Sequence, residues 1–472
     1  MQRKIILFEL NEVPFKVVDQ FCKWRPNSTF ARKLPTCSQF QTITQEISPL
    51  SPWTTWPSVH RGANDERHLI QNFGQDLTDA NKQFPPLWEI LTKAGIDVGI
   101  CGTLHTYPMP AELQNYKFYL PDTFAAGSEC FPQTLSVFQE FNLRMARESA
   151  RNVAKGVPWN AALRVLSRAP ELGFKLRTLT DLAGQLLSER LQPWRTVRRR
   201  TYQSVLAFDI FMKQLQTTKP SFSSVFTNHV ASSMHRFWAA VFPDDYKEFG
   251  YEEPWVKTYR NEIDWTMSKA DEFFACLVEF ADLNPEYQIW MATSMGQAAT
   301  VAEPLETQLY ITDLAKFMAA IGIEPQQWST RPAMLPQVNI VVSPGLEGRI
   351  HAKLSSLRID DQPVKFRRQD HGFFSIDMGQ KNLYKKPLIA NFEGRAISFS
   401  ELGMENTEIE DRSNASAYHV PQGCLIIYDP KKQSLSKNRP EISTLDIAPA
   451  ILKNFAVNTP AYMKPATTLA PA

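Results

Sequence analysis

Residues 48–74 read Ser48-Pro49-Leu50-Ser51-Pro52-Trp53-Thr54-Thr55-Trp56-Pro57-Ser58-Val59-His60-Arg61-Gly62-Ala63-Asn64-Asp65-Glu66-Arg67-His68-Leu69-Ile70-Gln71-Asn72-Phe73-Gly74. A hydroxyl-rich loop studded with Pro and Trp runs into a helix start. Ser51, Thr54 and Thr55 are hydroxyls beside that start, where they fit two roles. One is capping the helix by accepting from its first free N–H groups. The other is nucleophilic attack, which needs a hydroxyl activated by a metal or an adjacent base.

Outward from this loop the chain alternates strand and helix signals. Lys4 to Leu10 is a short apolar run, as expected of a buried parallel strand, and Asn11-Glu12 follow at its carboxyl end. Pro86 to Ala94 is an amphipathic helix stopped by Gly95, and Ile96 to Ile100 reads as the next strand. Ser221 to Thr227, Gln288 to Ala292 and Leu425 to Tyr428 are further strands, and Leu445 to Phe455 is a closing helix. Trp255, Tyr259, Ile263, Met267, Ala270, Phe274 and Leu277 recur at helical spacing, a core stripe with no cofactor role. The sum is an α/β fold with a parallel sheet sandwiched by helices. Residues 132–215, rich in Leu, Ala, Arg and Gln, form a helical insertion. Residues 331–400 form a β-rich insertion. The core is thus assembled from 1–131, 216–330 and 401–472.

Composition bounds the function. The 51 Lys and Arg balance 49 Asp and Glu, which argues against a dedicated nucleic-acid binder. The basic run Trp194 to Arg200 reads as a solvated helix face or as a rim that attracts anions. Six scattered Cys show no metal-type spacing and are expected to be reduced thiols. No window reaches the ~20 apolar residues of a membrane span. The N-terminal run is too short for a signal peptide. These points lead to an expectation of a cytoplasmic protein; the oligomeric state is not legible.

Ligand sites in parallel α/β sheets form at the carboxyl ends of strands. The polar residues there are Asn11 and Glu12, the 51–55 hydroxyls, His105, Asn228 and His229 with nearby His235, Ser294, and His419 before its strand. His60 and His68 read as packed or structural histidines, and His351 as a surface one.

The segment around Trp56-Pro57-Ser58, Gly62 and His68 resembles the nucleophile region of the alkaline phosphatase superfamily, especially its type I phosphodiesterase/nucleotide pyrophosphatase branch. His235-Arg236-Phe237-Trp238 is similar to that branch's His-x-x-Trp. Tyr418-His419-Val420-Pro421-Gln422-Gly423 resembles its late His-x-Pro-x-Gly, and Asp446 to Leu452 with Val457 and Pro460 resembles its closing helix. The motifs come in family order from residue 4 to about 463. The resemblance implies an alkaline-phosphatase-like core and a hydrolase of a phosphodiester or pyrophosphate, nucleotide- or sugar-linked. It implies a nucleophile in this loop, for which Ser51, Thr54 and Thr55 are the candidates, and His235 and His419 as metal ligands; Asn11 (a ligand or a hydrogen-bond donor), Arg61, Asn228 and, from its place after a strand, His105 are the candidate substrate-binding groups. Arg61 would be an anion anchor or else pair with Asp65 or Glu66.

The family pattern is broken at several ligands. Arg61-Gly62 stands for Thr-Gly, Asn11 for the first-strand Asp, Ala231 for the Asp four residues before His235, and Ser294-Met295-Gly296 for Asp-His-Gly. Asn and Met are poor ligands for a hard divalent ion. The expected site therefore holds one divalent ion (Zn, Mn or Mg) or none, rather than two. Asp370-His371-Gly372 is a literal copy of the missing triplet, displaced along the chain. The alternative to turnover is an inactive member that binds a phosphorylated or glycan ligand, or a protein partner. A transferase using the same pocket is a third reading.

Overall fold

The apolar run at the start of the chain becomes β1, Lys4–Leu10, near the middle of an eight-stranded sheet. The computed structural model describes residues 2–148, 158–384, 388–409, 416–433, 438–467 and 469. Alternate side chains of β1 enter opposite layers: Ile6, Phe8 and Leu10 one, Ile5 and Leu7 the other. A strand buried on both faces must be apolar throughout, which is why this segment shows a run and no alternation. Burying these five side chains stabilises the fold by on the order of 10 kcal/mol before chain entropy is subtracted.

The remaining strands of the sheet's first part are β2 (Ser38–Ile43), β3 (Val98–Cys101), β4 (Tyr116–Leu120), β5 (Phe222–Thr227) and β6 (Tyr287–Ala292). Across the sheet the order is Glu441–Ser443, β2, Gln422–Tyr428, β6, β1, β5, β3, β4. Strands β6, β1, β5, β3 and β4 are mutually parallel, whereas Gln422–Tyr428 runs antiparallel to both β6 and β2. One face is covered by helices including Phe15–Trp24, Arg199–Thr218, His229–Val241 and Glu262–Leu283. The other is covered by Pro52–Arg61, Leu87–Lys93 and Ile447–Asn454. This is the expected sheet sandwiched by helices.

The apolar stripe from Trp255 to Leu277 spans two helices rather than one, Glu253–Tyr259 and Glu262–Leu283, with Arg260 and Asn261 between them. The 132–215 stretch holds helices Ser136–Glu148, Trp159–Ser167 and Leu176–Leu191 and most of Arg199–Thr218. The β-rich part centres on a four-stranded sheet of Lys365–Arg368, Phe373–Asp377, Gln337–Val342 and Trp328–Arg331. It also contains a helix, Glu347–Ser356, and its apolar core takes in Leu309 and Met404 from outside residues 331–400. Those two lie on paired strands, Thr307–Ile311 and Met404–Glu408.

Candidate functional site

The chain leaves β1 through Asn11 and then turns sharply at Glu12, whose φ of 61° lies in the left-handed region that a residue with a Cβ adopts at a cost on the order of 1 kcal/mol. The turn aims the Glu12 carboxylate into a buried space at the carboxyl end of the sheet. Two imidazoles meet it there: His235 Nε2 lies 2.9 Å and His419 Nε2 3.3 Å from Glu12 Oε2. The two rings are 5.2 Å apart, centroid to centroid.

His235 arrives on the helix His229–Val241, which begins one residue after Asn228 at the end of β5. His419 arrives on the strand Ala417–Val420, paired antiparallel with β7, Gly296–Ala299. In that register His419 lies opposite Gln297, so both side chains reach the same place. Gln297 donates to Glu12 Oε2 at 2.5 Å. Gly296 is required here, because a Cβ would stand 2.1 Å from the Gln422 carbonyl oxygen.

The outer nitrogens of both imidazoles are committed. His235 Nδ1 donates to the Ala417 carbonyl at 2.8 Å, and His419 Nδ1 donates to the Leu50 carbonyl at 2.7 Å. Each Nδ1 must carry a proton to do so, which leaves both Nε2 atoms facing Glu12. Burial pushes the Glu12 carboxyl up, but the charges of His419 and His235 outweigh it and hold the group well below the usual carboxylate range. Burial pushes His419 down, and the Glu12 carboxylate outweighs that too, so its pKa is raised.

Glu12, His235 and His419 offer ligand atoms within 4.8 Å of one another, the one such group of His, Cys, Asp or Glu among the described residues. A carboxylate oxygen and two imidazole nitrogens, with Nδ1 anchored on carbonyls, form a donor set that fits a divalent ion. His235 and His419 are two of the residues singled out from sequence. Glu12 is the third member, and Asn11, assigned that place by the family pattern, does another job. Its amide donates to Glu12 Oε1 at 2.7 Å and to Asn228 Oδ1 at 2.8 Å, and its oxygen accepts from Trp56 Nε1 at 2.7 Å. Asn11 is fully engaged, and it positions the carboxylate. Asn228 is exposed at the rim.

The Leu50 carbonyl that fixes His419 immediately precedes the hydroxyl loop. Ser51 caps the helix Pro52–Arg61, accepting from Trp53 N at 3.4 Å, and keeps partial solvent access. Thr54 and Thr55 are sealed, at 1% and 0% exposure. The Thr55 hydroxyl sits 3.1 Å from the Ser51 carbonyl and 2.8 Å from the hydroxyl of Ser294, itself buried. Ser294 stands where the family pattern carries a ligand pair, so that place is occupied by a hydroxyl–hydroxyl contact.

Other expected residues lie elsewhere. Arg61 is fully buried, donates to Asn81 Oδ1 at 2.6 Å, and is lowered to about 10 by burial. It has no surface to offer a substrate, and neither Asp65 nor Glu66 is its partner: Asp65 accepts from the backbone of Ile47 and Ser48. His105 packs edge-on to Trp53 with Nε2 2.8 Å from the Trp53 carbonyl, and burial lowers it to about 3. It is a neutral part of the wall. His371, in the displaced Asp-His-Gly triplet, is on an exposed turn, 78% accessible, and does not reach the cluster. His60 is buried against Glu9, 2.5 Å from its carboxylate. His68 bonds Ser58 at 2.8 Å, a structural role.

The fold and site together define an α/β sandwich with a carboxylate–imidazole cluster at the carboxyl edge of its parallel strands. No family model matches the chain, and no curated protein matches it in sequence. Among solved structures it is similar to murine ectonucleotide pyrophosphatase/phosphodiesterase 5, at TM-score 0.42 and 10% identity over 98% of this chain and 97% of that one. It is similar to phosphonoacetate hydrolase from Sinorhizobium meliloti 1021 in complex with phosphonoformate, at TM-score 0.43 and 11% identity over 97% and 96%. A likeness to TAB5 alkaline phosphatase has TM-score 0.37 and 8% identity over 97% and 100%.

Proposed function

We propose that the chain is a divergent alkaline-phosphatase-superfamily hydrolase of a small phosphoester, with its metal site reduced to one centre. The observation that carries this reading is the convergence of Glu12, His235 and His419 beside the Ser51 loop, tied directly by the His419–Leu50 hydrogen bond. Glu12, His235 and His419 would hold one divalent ion. Bound there, such an ion would polarise a phosphoryl oxygen and lower the pKa of a neighbouring hydroxyl.

The chain's own residues supply the rest. Ser51 is the nucleophile in this reading, because it alone of the three hydroxyls is open to solvent and it stands at a helix N-terminus. The positive end of that helix's dipole favours developing negative charge. Thr55 and Ser294 hold the second turn of that helix against the end of β6. Asn11, locked by Trp56, keeps the carboxylate facing the imidazoles. The neutral His105 and the rings of Trp53, Phe73 and Phe124, with centroids 4.8–4.9 Å apart, give the loop a rigid apolar side. The finer substrate, a nucleotide- or sugar-linked diester, follows from the motif resemblance.

One observation favours a second reading, binding without turnover. Both Glu12 oxygens are already engaged, by Asn11 on one side and Gln297 and the imidazoles on the other. Release of nitrophenol from bis(nitrophenyl) phosphate, measured with added Zn, Mn or Mg, separates the two. Turnover that disappears in Ser51→Ala and Glu12→Gln supports the hydrolase. Metal binding without release at any added ion supports the binding role.

A further inference from the structure

The helical insertion carries a charge and an apolar surface that the proposed chemistry leaves unused. Residues 132–215 hold fourteen Lys or Arg and six Asp or Glu, a net +8. The whole chain is +2, so everything outside the insertion is a net −6. Glu262 and Glu272 reach in from outside to pair with Arg198 and Arg177, and they leave the insertion strongly positive.

The same region exposes large apolar side chains. On the helix Trp159–Ser167, Trp159, Leu163 and Leu166 are spaced four and three apart and are 58%, 60% and 43% exposed. On the helix Leu176–Leu191, Leu176, Leu187 and Leu191 are spaced by about three turns and then one. They are 78%, 63% and 85% exposed. Each set forms one stripe on its helix. Trp159 and Leu166 also line an apolar cleft whose walls include Phe141, Met145, Leu182 and Leu186. Exposed stripes of this kind on two helices are uncommon in a soluble surface and mark an interaction site.

We propose that the helical insertion docks the protein on an anionic lipid bilayer, with the Leu and Trp side chains entering the headgroup boundary and Arg and Lys engaging lipid phosphates and carboxylates. Apolar stripes set among basic residues suit such an interface, where long basic side chains keep their charge in water while their stems lie along apolar surface. A second copy of the chain is a poor occupant. A two-fold interface would set one strongly positive surface against another. Nucleic acid is poorly served by six exposed aliphatic or indole groups.

Co-sedimentation with vesicles of phosphatidylcholine alone and of phosphatidylcholine with phosphatidylserine tests this. The intact chain should sediment with the anionic vesicles, and raising salt to about 0.5 M should weaken binding severalfold. The variant Leu163→Glu/Leu176→Glu/Leu187→Glu/Leu191→Glu changes only exposed positions. It should keep its circular dichroism and lose about tenfold or more in partitioning. Leu→Ser at the same four positions, which adds no charge, should also weaken binding. Absence of the intact chain from the anionic pellet overturns the proposal, as does equal partitioning of the variants. Concentration-dependent self-association by light scattering without lipid, lost in the same variants, overturns it in favour of a dimer.

Discussion

Glu12→Gln removes one charge and nearly no volume, so it isolates what the carboxylate does. Glu12 accepts from Asn11 and Gln297 and faces the Nε2 atoms of both imidazoles. Breaking a buried pair by removing one partner costs about 3–5 kcal/mol when the other stays charged. His419 has an escape: burial already favours its neutral form, so without Glu12 it sheds its proton. That caps the loss at about 3 kcal/mol. The pH dependence follows from the two shifts. Glu12 is lowered in the folded state, so its contribution is present above its unfolded value of about 4.5 and is lost as pH falls below that. His419 is raised, so its contribution is complete below its unfolded value of about 6.5 and is lost as pH rises through the raised value. The pair therefore stabilises most between about pH 5 and 7. Urea unfolding of wild type and variant should show a difference of about 3 kcal/mol at pH 6, shrinking to about 1 at pH 9. An equal difference at both pH values would refute the coupling of Glu12 to the imidazoles, and so would no difference at pH 6.

Other substitutions separate the roles of neighbouring residues. Ser51→Ala should abolish phosphodiester turnover while costing about 1 kcal/mol of stability through the lost cap. Thr55→Ala, which removes a buried contact to Ser294, should cost about 1–2 kcal/mol and leave measurable turnover; the reverse pattern would move the nucleophile to Thr55. His68, His105 and His229 are each lowered to about 3, chiefly by burial, so the unfolded chain binds protons that the folded one rejects. Their contributions are complete above about pH 6.5 and decline below it, by about 1.4 kcal/mol each at pH 5.5. His229→Phe should flatten this decline by one such share in urea titrations. Gly296→Ala places a methyl on the Gln422 carbonyl and should lower stability by about 3 kcal/mol, measured by the same unfolding curves.

The fold was legible where local chemistry and tertiary position agree. The Lys4–Leu10 run and the helix–Gly–strand unit at 86–100 follow from periodicity and stop signals, and the spaced motifs ordered the core. His235 and His419 were legible as histidines beside strand ends. Glu12 stands at the end of β1, but the resemblance points to Asn11, one residue earlier, as the place of the family's acid. Only the left-handed backbone at Glu12, which depends on packing around it, shows which of the two faces the imidazoles. Arg61 misled for the opposite reason. A charged side chain next to a hydroxyl loop suggests an anion site, and sequence gives no sign that Asn81 and the surrounding helices seal it. The Thr55–Ser294 contact joins residues 239 positions apart, a separation no local pattern encodes.

The central claim is that Glu12, His235 and His419 bind one divalent ion together. X-ray absorption of protein loaded with one equivalent of zinc tests it most directly. The account predicts two imidazole nitrogens at about 2.0–2.1 Å with oxygen donors completing the shell. It also predicts loss of that signature, and of stoichiometric binding, in His235→Ala and His419→Ala. A spectrum with one imidazole or none, or one unchanged in the two variants, would contradict it.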